Sequence, residues 1–321
     1  MPRSGDAHHA DKVYSALRDK AGAAHSAVVA SWSRSLVNYG LDPDRTQLPL
    51  RLTEAELAAA REKVEPLVRQ SETALDHLFQ MVGEAGCCVL LTDREGVPLM
   101  RRGMAGDEAD FRRLGLWTGM VWSEACTGTN GVGTALAEER ALTIHRDQHF
   151  LTRNIGLSCS VAPIWDAQGR LAGALDVSTC RSDLTPAMLK LIAAATVDAA
   201  QRIEASHFRA AFSHARIVVA DAGRGPALLA VDREDLVIGA NRAARLAYDL
   251  TDQRLASGCP TDDLLGRSEG RIEDLSAGER GVVQRALARA QGNVSAAART
   301  LGISRATLHR KLARLGISRL H

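Results

Sequence analysis

Aromatic side chains are scarce in this chain, at 4% of its 321 residues, and long apolar runs are missing altogether. The run Cys87-Cys88-Val89-Leu90-Leu91 falls far short of the roughly 18 residues that a membrane-spanning helix needs. No apolar stretch follows Met1, so neither a signal peptide nor a membrane partner is expected, and the protein is expected in the cytoplasm. The six cysteines are scattered without a CxxC pair, which argues against a disulfide framework and suits buried thiols in a reducing compartment. No phosphate-cradling GxxxxGK(S/T) loop occurs either. What is present, 45% apolar and 24% charged residues, suits ordinary globular cores in two or three domains.

The formal net charge of +2 conceals a division. Residues 276–321 hold nine Lys or Arg against one acid, Glu279, while residues 1–275 hold 31 basic and 37 acidic side chains. A compact basic tail on an acidic body is the electrostatic footprint of nucleic-acid binding confined to one end.

Three helices are expected in that tail. The first, near 277–290, places Val282, Val283, Ala286, Leu287 and Ala290 on one stripe. Asn293 caps a second helix that buries Val294, Ala297, Ala298 and Leu301, and Gly302 supplies a tight turn. Ser304 caps a third, whose inward positions are Leu308, Leu312 and Leu315. The run "GNVSAAARTLGISRATLHRKLARLGI" resembles the Fis-type helix-turn-helix. That resemblance implies double-stranded DNA as partner, an inverted-repeat site and a homodimer. It further implies that Asn293 and Ser295 hold phosphates, and that Ser304, Arg305, Thr307, His309, Arg310 and Lys311 face DNA. Arg305 is the expected base reader, because a guanidinium binds guanine with two hydrogen bonds.

Between 71 and 206 strand-like and helix-like signals alternate. Strands are expected at 87–92, 97–101, 141–144, 157–165 and 170–178, with helices near 132–139 and 185–206. This describes an α+β sensor domain. "WSEACTGTNGVGTALAEERALTIH" and "LSCSVAPIWDAQGRLAGALDVST" resemble the GAF domain of acetoin-type regulators, which implies a small-molecule effector. Trp117, Trp122 and Phe150 are candidate pocket walls, with Glu124, Asn130, His145 and Cys159 as polar candidates; the alternative is that they are core. The i, i+4 pair His145 and His149 is a weak metal candidate, and neither metal nor cofactor is expected.

Residues 1–24 are polar and expected to be loose, followed by helices at 26–39 and 53–68, the second opened by a Thr53–Glu56 capping box. "SWSRSLVNYGLDPD" resembles the segment before the sensor in acetoin-type regulators and is expected to act as a brace or dimer contact. "LLAVDREDLVIGANRAARLAYDL", within 207–268, resembles the start of a PAS-like fold and is expected to be a short relay. The expected organisation is thus multidomain α+β: an N-terminal helical segment (1–70), a GAF-like sensor (71–206), a short PAS-like relay (207–268) and an all-α Fis-type module (276–321).

Acetoin-type activators carry an ATPase between sensor and DNA-binding module, and residues 207–275 leave no room for one. A ligand-gated DNA-binding regulator with no ATPase of its own is the resulting expectation, recruiting RNA polymerase, blocking it, or competing with a full-length relative for sites. A GAF-type thiol redox enzyme, a redox or metal sensor, and a non-DNA-binding dimeric scaffold are the alternatives.

Overall fold

The structure, a computed structural model, describes residues 6–18, 26–221, 225–266, 275–290 and 292–317. The chain divides into two compact units, 1–261 and 262–321. The N-terminal segment is more ordered than its polarity suggests: α1 (Asp6–Arg18) buries Val13 against Trp32, Leu41, Phe150 and Leu151. A few apolar residues at helical spacing suffice when a neighbouring domain supplies the other half of the core. α2 (Ala27–Ser33) opens on Ser26 and runs into a π turn over Arg34–Asn38. The expected capping box forms, with Thr53 and Glu56 bonded reciprocally at the start of α3 (Glu54–Lys63). The helix then breaks at Val64, and α4 (Glu65–Val82) begins afresh and runs well beyond the expected end at 68. Pro66 is the cause: its ring cannot occupy a helix interior but fits a first turn.

The central sheet is antiparallel in the order β2-β1-β5-β4-β3. Its strands are β1 (Cys87–Asp93), β2 (Pro98–Arg102), β3 (Leu142–His145), β4 (Ser158–Trp165) and β5 (Leu171–Thr179), close to where alternation and turn residues placed them. The β1/β2 and β4/β5 hairpins turn on one device. Asp93 Oδ1 accepts the N–H groups of Glu95 and Val97 at 3.0 and 2.9 Å; Asp166 Oδ1 accepts those of Gln168 and Arg170 at 2.9 and 2.8 Å. An Asx side chain thereby substitutes for the backbone partner that the turn lacks.

One sheet face packs under α4 and the long α7 (Pro186–Ala211), through Leu75, Leu78, Val89, Leu91, Leu175, Val177 and Ile203. The other face lies beneath α5 (Glu108–Leu114), the 115–123 loop and α6 (Gly131–Glu138). The glycine-rich block seats α6 directly on β4. A Cβ at Gly131 would lie 2.5 Å from Cys159 Cβ, and one at Gly133 would lie 2.5 Å from the Glu124 nitrogen.

After α7, β6 (Arg216–Asp221), β7 (Pro226–Val231) and β8 (Val237–Ala240) form a three-stranded sheet, followed by α8 (Arg242–Tyr248). The expected strand, turn, strand and helix are present, and β6 adds a third strand. Buried Asn241 joins helix to sheet: its Oδ1 accepts from Leu228 and Ala244 nitrogens at 2.9 and 3.0 Å, and its Nδ2 donates to the Pro226 carbonyl at 3.0 Å.

The second unit contains α9 (Leu275–Arg289), α10 (Val294–Thr300) and α11 (Arg305–Arg314) around Val283, Ala286, Leu287, Ala297, Ala298, Leu308, Leu312 and Leu315. Ala297 and Ala298 are buried between the other helices, where only small side chains permit close approach.

Candidate functional site

In the C-terminal module the sequence determines the surface almost locally. Asn293 Oδ1 accepts the Ala296 N–H at 3.1 Å, and Ser304 Oγ accepts the Thr307 N–H at 3.1 Å. Gly302, at φ +65°, turns the chain between the two helices where a side chain would be strained. Ser295, Ser304, Arg305 and Arg310 are exposed, and Thr307 and His309 are half-buried. Lys311 is held differently from the others: its ammonium, with the Arg314 guanidinium, pairs with Glu279 of α9. That pairing holds the Glu279 carboxyl below its ordinary range, Lys311 contributing most. On α10 and α11, Arg299, Arg305 and Arg310 carry cations with no acidic partner among the described residues. A capped helix start flanked by guanidinium groups without acidic partners can receive phosphate and reach base edges.

The seven polar and aromatic candidates of the sensor do not converge on one pocket. Phe150 is fully buried in the N-terminal cluster with Val13 and Trp32. Glu124 is buried and clasped from the same side: Arg34 Nε and Nη2 donate to it at 2.9 and 3.0 Å, and Ser31 Oγ donates at 2.5 Å. Asn130 caps α6, with Oδ1 accepting from Gly133 at 2.8 Å and Nδ2 donating to Thr127 and Gly128 at 2.8 and 2.9 Å. His145 pairs through Nδ1 with Ser158 Oγ at 2.7 Å on the edge strand β3, in register with the sheet face opposite Cys159. Trp122, Trp117 and Cys159 do share one face, beneath α5 and α6. Trp122 Nε1 donates to the Gly115 carbonyl at 2.9 Å, and Trp117 lies between two guanidinium groups, Arg101 at 4.2 Å and Arg112 at 3.7 Å.

Two residues on that face were not singled out from the sequence. Arg101 of β2 stands opposite Leu90, and Leu90 stands opposite Asp176 of β5, so the three form one cross-strand row. Arg101 keeps only 9% of its side chain exposed, and its Nε and Nη2 have no hydrogen-bond partner; Glu108 is 3.8 Å from Nη1. Asp176 is fully buried; Oδ2 lies 2.7 Å from Ser178 Oγ, and Oδ1 has no partner. Burial raises its carboxyl to about 7, against a smaller lowering by Ser178. The available signal was a charge at an interior position of an otherwise apolar strand, in "LAGALDVST" and "PLMRR".

His149 is also buried. Its Nδ1 donates to the Arg146 carbonyl at 2.9 Å, its Nε2 lies 3.5 Å from Cys159 Sγ, and burial lowers its pKa to about 4. Residues 146–148 form a 3₁₀ turn rather than an α-helix, so His145 and His149 do not present imidazoles side by side. Among the described residues no group of three or more His, Cys, Asp or Glu is placed to hold a metal ion. Burial pushes the thiols of Cys87, Cys88 and Cys159 upward, Cys87 to about 11, which keeps them protonated and poorly nucleophilic. No described helix is long and apolar enough to cross a membrane.

Residues 66–203 match the GAF domain family, and residues 275–315 match the bacterial regulatory protein, Fis family. The chain is 34% identical over 266 residues to the acetoin catabolism regulatory protein of Cupriavidus necator, covering 78% of this chain and 39% of that protein. It is 30% identical over 175 residues to the acetoin dehydrogenase operon transcriptional activator AcoR of Bacillus subtilis, covering 54% of this chain and 29% of that protein. The chain thus spans well under half the length of these relatives. Its fold resembles a chain of the Escherichia coli DhaR(N)–DhaL complex, with a TM-score of 0.52 and 18% identity over 74% of this chain and 80% of that one.

Proposed function

The chain carries a GAF domain ahead of a Fis-type helix-turn-helix, and from that premise we propose that it is a sequence-specific, DNA-binding transcription regulator in the cytoplasm. The observation that carries this reading is the capped start of α11, with Ser304, Arg305 and Arg310 exposed on a module whose core is closed by Val283, Leu287, Leu308 and Leu312, while Val282 of the expected inward stripe faces outward. Fis-type modules act in pairs, so the protein works as a homodimer on an inverted repeat, with recognition helices roughly 34 Å apart. A small molecule bound in the GAF domain changes how the two DNA-binding modules engage the operator. ATP hydrolysis by this chain has no part in that change, since no phosphate-cradling loop is present in its sequence. The regulated step is recruitment of RNA polymerase, its obstruction, or competition with a full-length relative for sites.

The first test is retention of fragmented genomic DNA by the purified protein at moderate salt, followed by sequencing. Enrichment of an inverted repeat, lost in Arg305→Ala, is the expected result. Absence of enrichment, with Arg305→Ala behaving as wild type, would remove the DNA-reading role and leave a scaffold. The gating step is tested on the operator so found: equal affinity with and without a bound effector would sink it.

A further inference from the structure

On the GAF sheet face beneath α5 and α6, two buried groups retain unfilled hydrogen-bonding capacity. We propose that this face binds a small hydroxycarboxylate, with its carboxylate on the Nε–Nη2 edge of Arg101 and its hydroxyl donating to Oδ1 of Asp176. The proposal deepens the ligand-gated reading above, on which only its consequence at DNA rests.

The Arg101 end is defined by which atoms lack partners. Nε and Nη2 are the two nitrogens on one edge of the guanidinium, and their parallel N–H groups match the two oxygens of a carboxylate. The flat faces are taken by Phe111 and Trp117, with the guanidinium carbon 5.5 and 4.2 Å from their ring centroids. A Cβ at Gly103 would lie 2.5 Å from Nη2, so glycine leaves the fork room there. Glu108 pairs with the cation from the Nη1 side at 3.8 Å, too distant for a hydrogen bond, and leaves the Nε–Nη2 edge without a partner.

The Asp176 end follows from proton counting. His149 donates through Nδ1 to a carbonyl, so its neutral Nε2 accepts, and the Cys159 thiol at 3.5 Å supplies the proton. Ser178 Oγ lies 3.1 Å from Cys159 Sγ and 2.7 Å from Asp176 Oδ2, but a hydroxyl has one proton to give. Every link carries a proton when Asp176 is neutral: Oδ2–H donates to Ser178, Ser178 to Cys159 and Cys159 to His149. Oδ1 is then a carbonyl oxygen, an acceptor for a neutral donor such as a hydroxyl. It lies 3.6 Å from where a Gly131 Cβ would stand, at the base of α6. Arg101 and Asp176 are two strands apart, about 10 Å between Cα atoms, so a ligand that bridges them lies over the buried side chain of Leu90.

The test is calorimetric titration of the full chain with 2-, 3- and 4-hydroxybutyrate, butyrate and 1,3-butanediol. One hydroxybutyrate isomer is expected to bind about 30-fold more tightly than butyrate or the diol. Arg101→Gln should weaken it by about 30-fold, while Asp176→Ala should bring the hydroxybutyrate-to-butyrate ratio close to one. If a variant fails to fold, the wild-type series still decides. Equal binding of hydroxy acids and butyrate, or no binding across the series by folded wild type, overturns the proposal. Hydroxybutyrate binding that leaves operator affinity unchanged supports the ligand class and removes the gating reading. Operator binding with no hydroxybutyrate binding removes the ligand class and leaves the DNA-binding reading standing.

Discussion

In residues 294–314 the groups offered to a partner stand on the surface, within a few positions of the caps that orient them. Along the GAF sheet the groups left unsatisfied are buried and come from strands 75 positions apart in the chain, at Arg101 and Asp176. On the proposed function, the difference reflects what each region recognises. A DNA duplex is too large to enclose, so its reader is a convex, charged helix on a small core. A small molecule offers few contacts, so recognising it requires a dry face where each hydrogen bond counts. The helix-turn-helix can lose a surface side chain without losing its fold, whereas the sensor binds its polar groups into its core.

That contrast can be broken from either side. The largest expected effect is Leu308→Ala, which empties a fully buried position of a small core and should cost about 3 kcal/mol. Its signature is loss of DNA binding and of the module's helical signal, with the 1–261 unit unfolding in urea as before. A matching shift in that unit would show that the two are not separate. Next is Arg34→Ala, which strands the Glu124 carboxylate. About 2–3 kcal/mol should be lost in urea unfolding followed by tryptophan fluorescence, below the fully buried range because Arg34 keeps 30% of its side chain exposed. A loss under about 0.5 kcal/mol would mean that the clasp is not holding the N-terminal segment to the domain.

The pH dependence sharpens the comparison. Asp176 and Glu204 have carboxyls raised by burial to about 7, so the folded protein keeps those protons to higher pH than the unfolded chain does. Their contribution to stability falls as pH rises from the unfolded carboxylate range through about 7. His149, lowered by burial to about 4, acts oppositely, its contribution being lost as pH falls from about 6.5 through about 4. Melting temperature against pH should therefore fall less steeply toward pH 7 in Asp176→Ala than in wild type. An unchanged slope would show that Asp176 is already ionised at low pH. Arg305→Ala should weaken operator binding by about 2 kcal/mol without moving the melting temperature. Smallest is Ser304→Ala, which removes a helix cap worth about 1 kcal/mol and should appear as faster amide exchange in the first turn of α11.

Legibility followed the same division. The three C-terminal helices, both caps and the turn glycine were readable because each depends on neighbours within four residues. The five sheet strands were readable from alternation and from Asp-initiated turns. The break at Val64 was recoverable from Pro66, whose missing N–H is a local property. The order of α1 was not, because its Val13 gains stability only from Phe150 and Leu151, far along the chain.

The sequence by itself determined the five strands of the central sheet, the three C-terminal helices, which tail is basic, and which families the chain resembles. These follow from composition, periodicity and contiguous motifs. Only the tertiary structure decided what each polar group faces. It turned Glu124 towards Arg34, gave Lys311 to Glu279, and separated His145 from His149 by a 3₁₀ turn. It also set Arg101 and Asp176 on one row with free edges. The physical reason is that hydrogen bonds and ion pairs act over a few ångströms, and strand register decides which distant residues come that close.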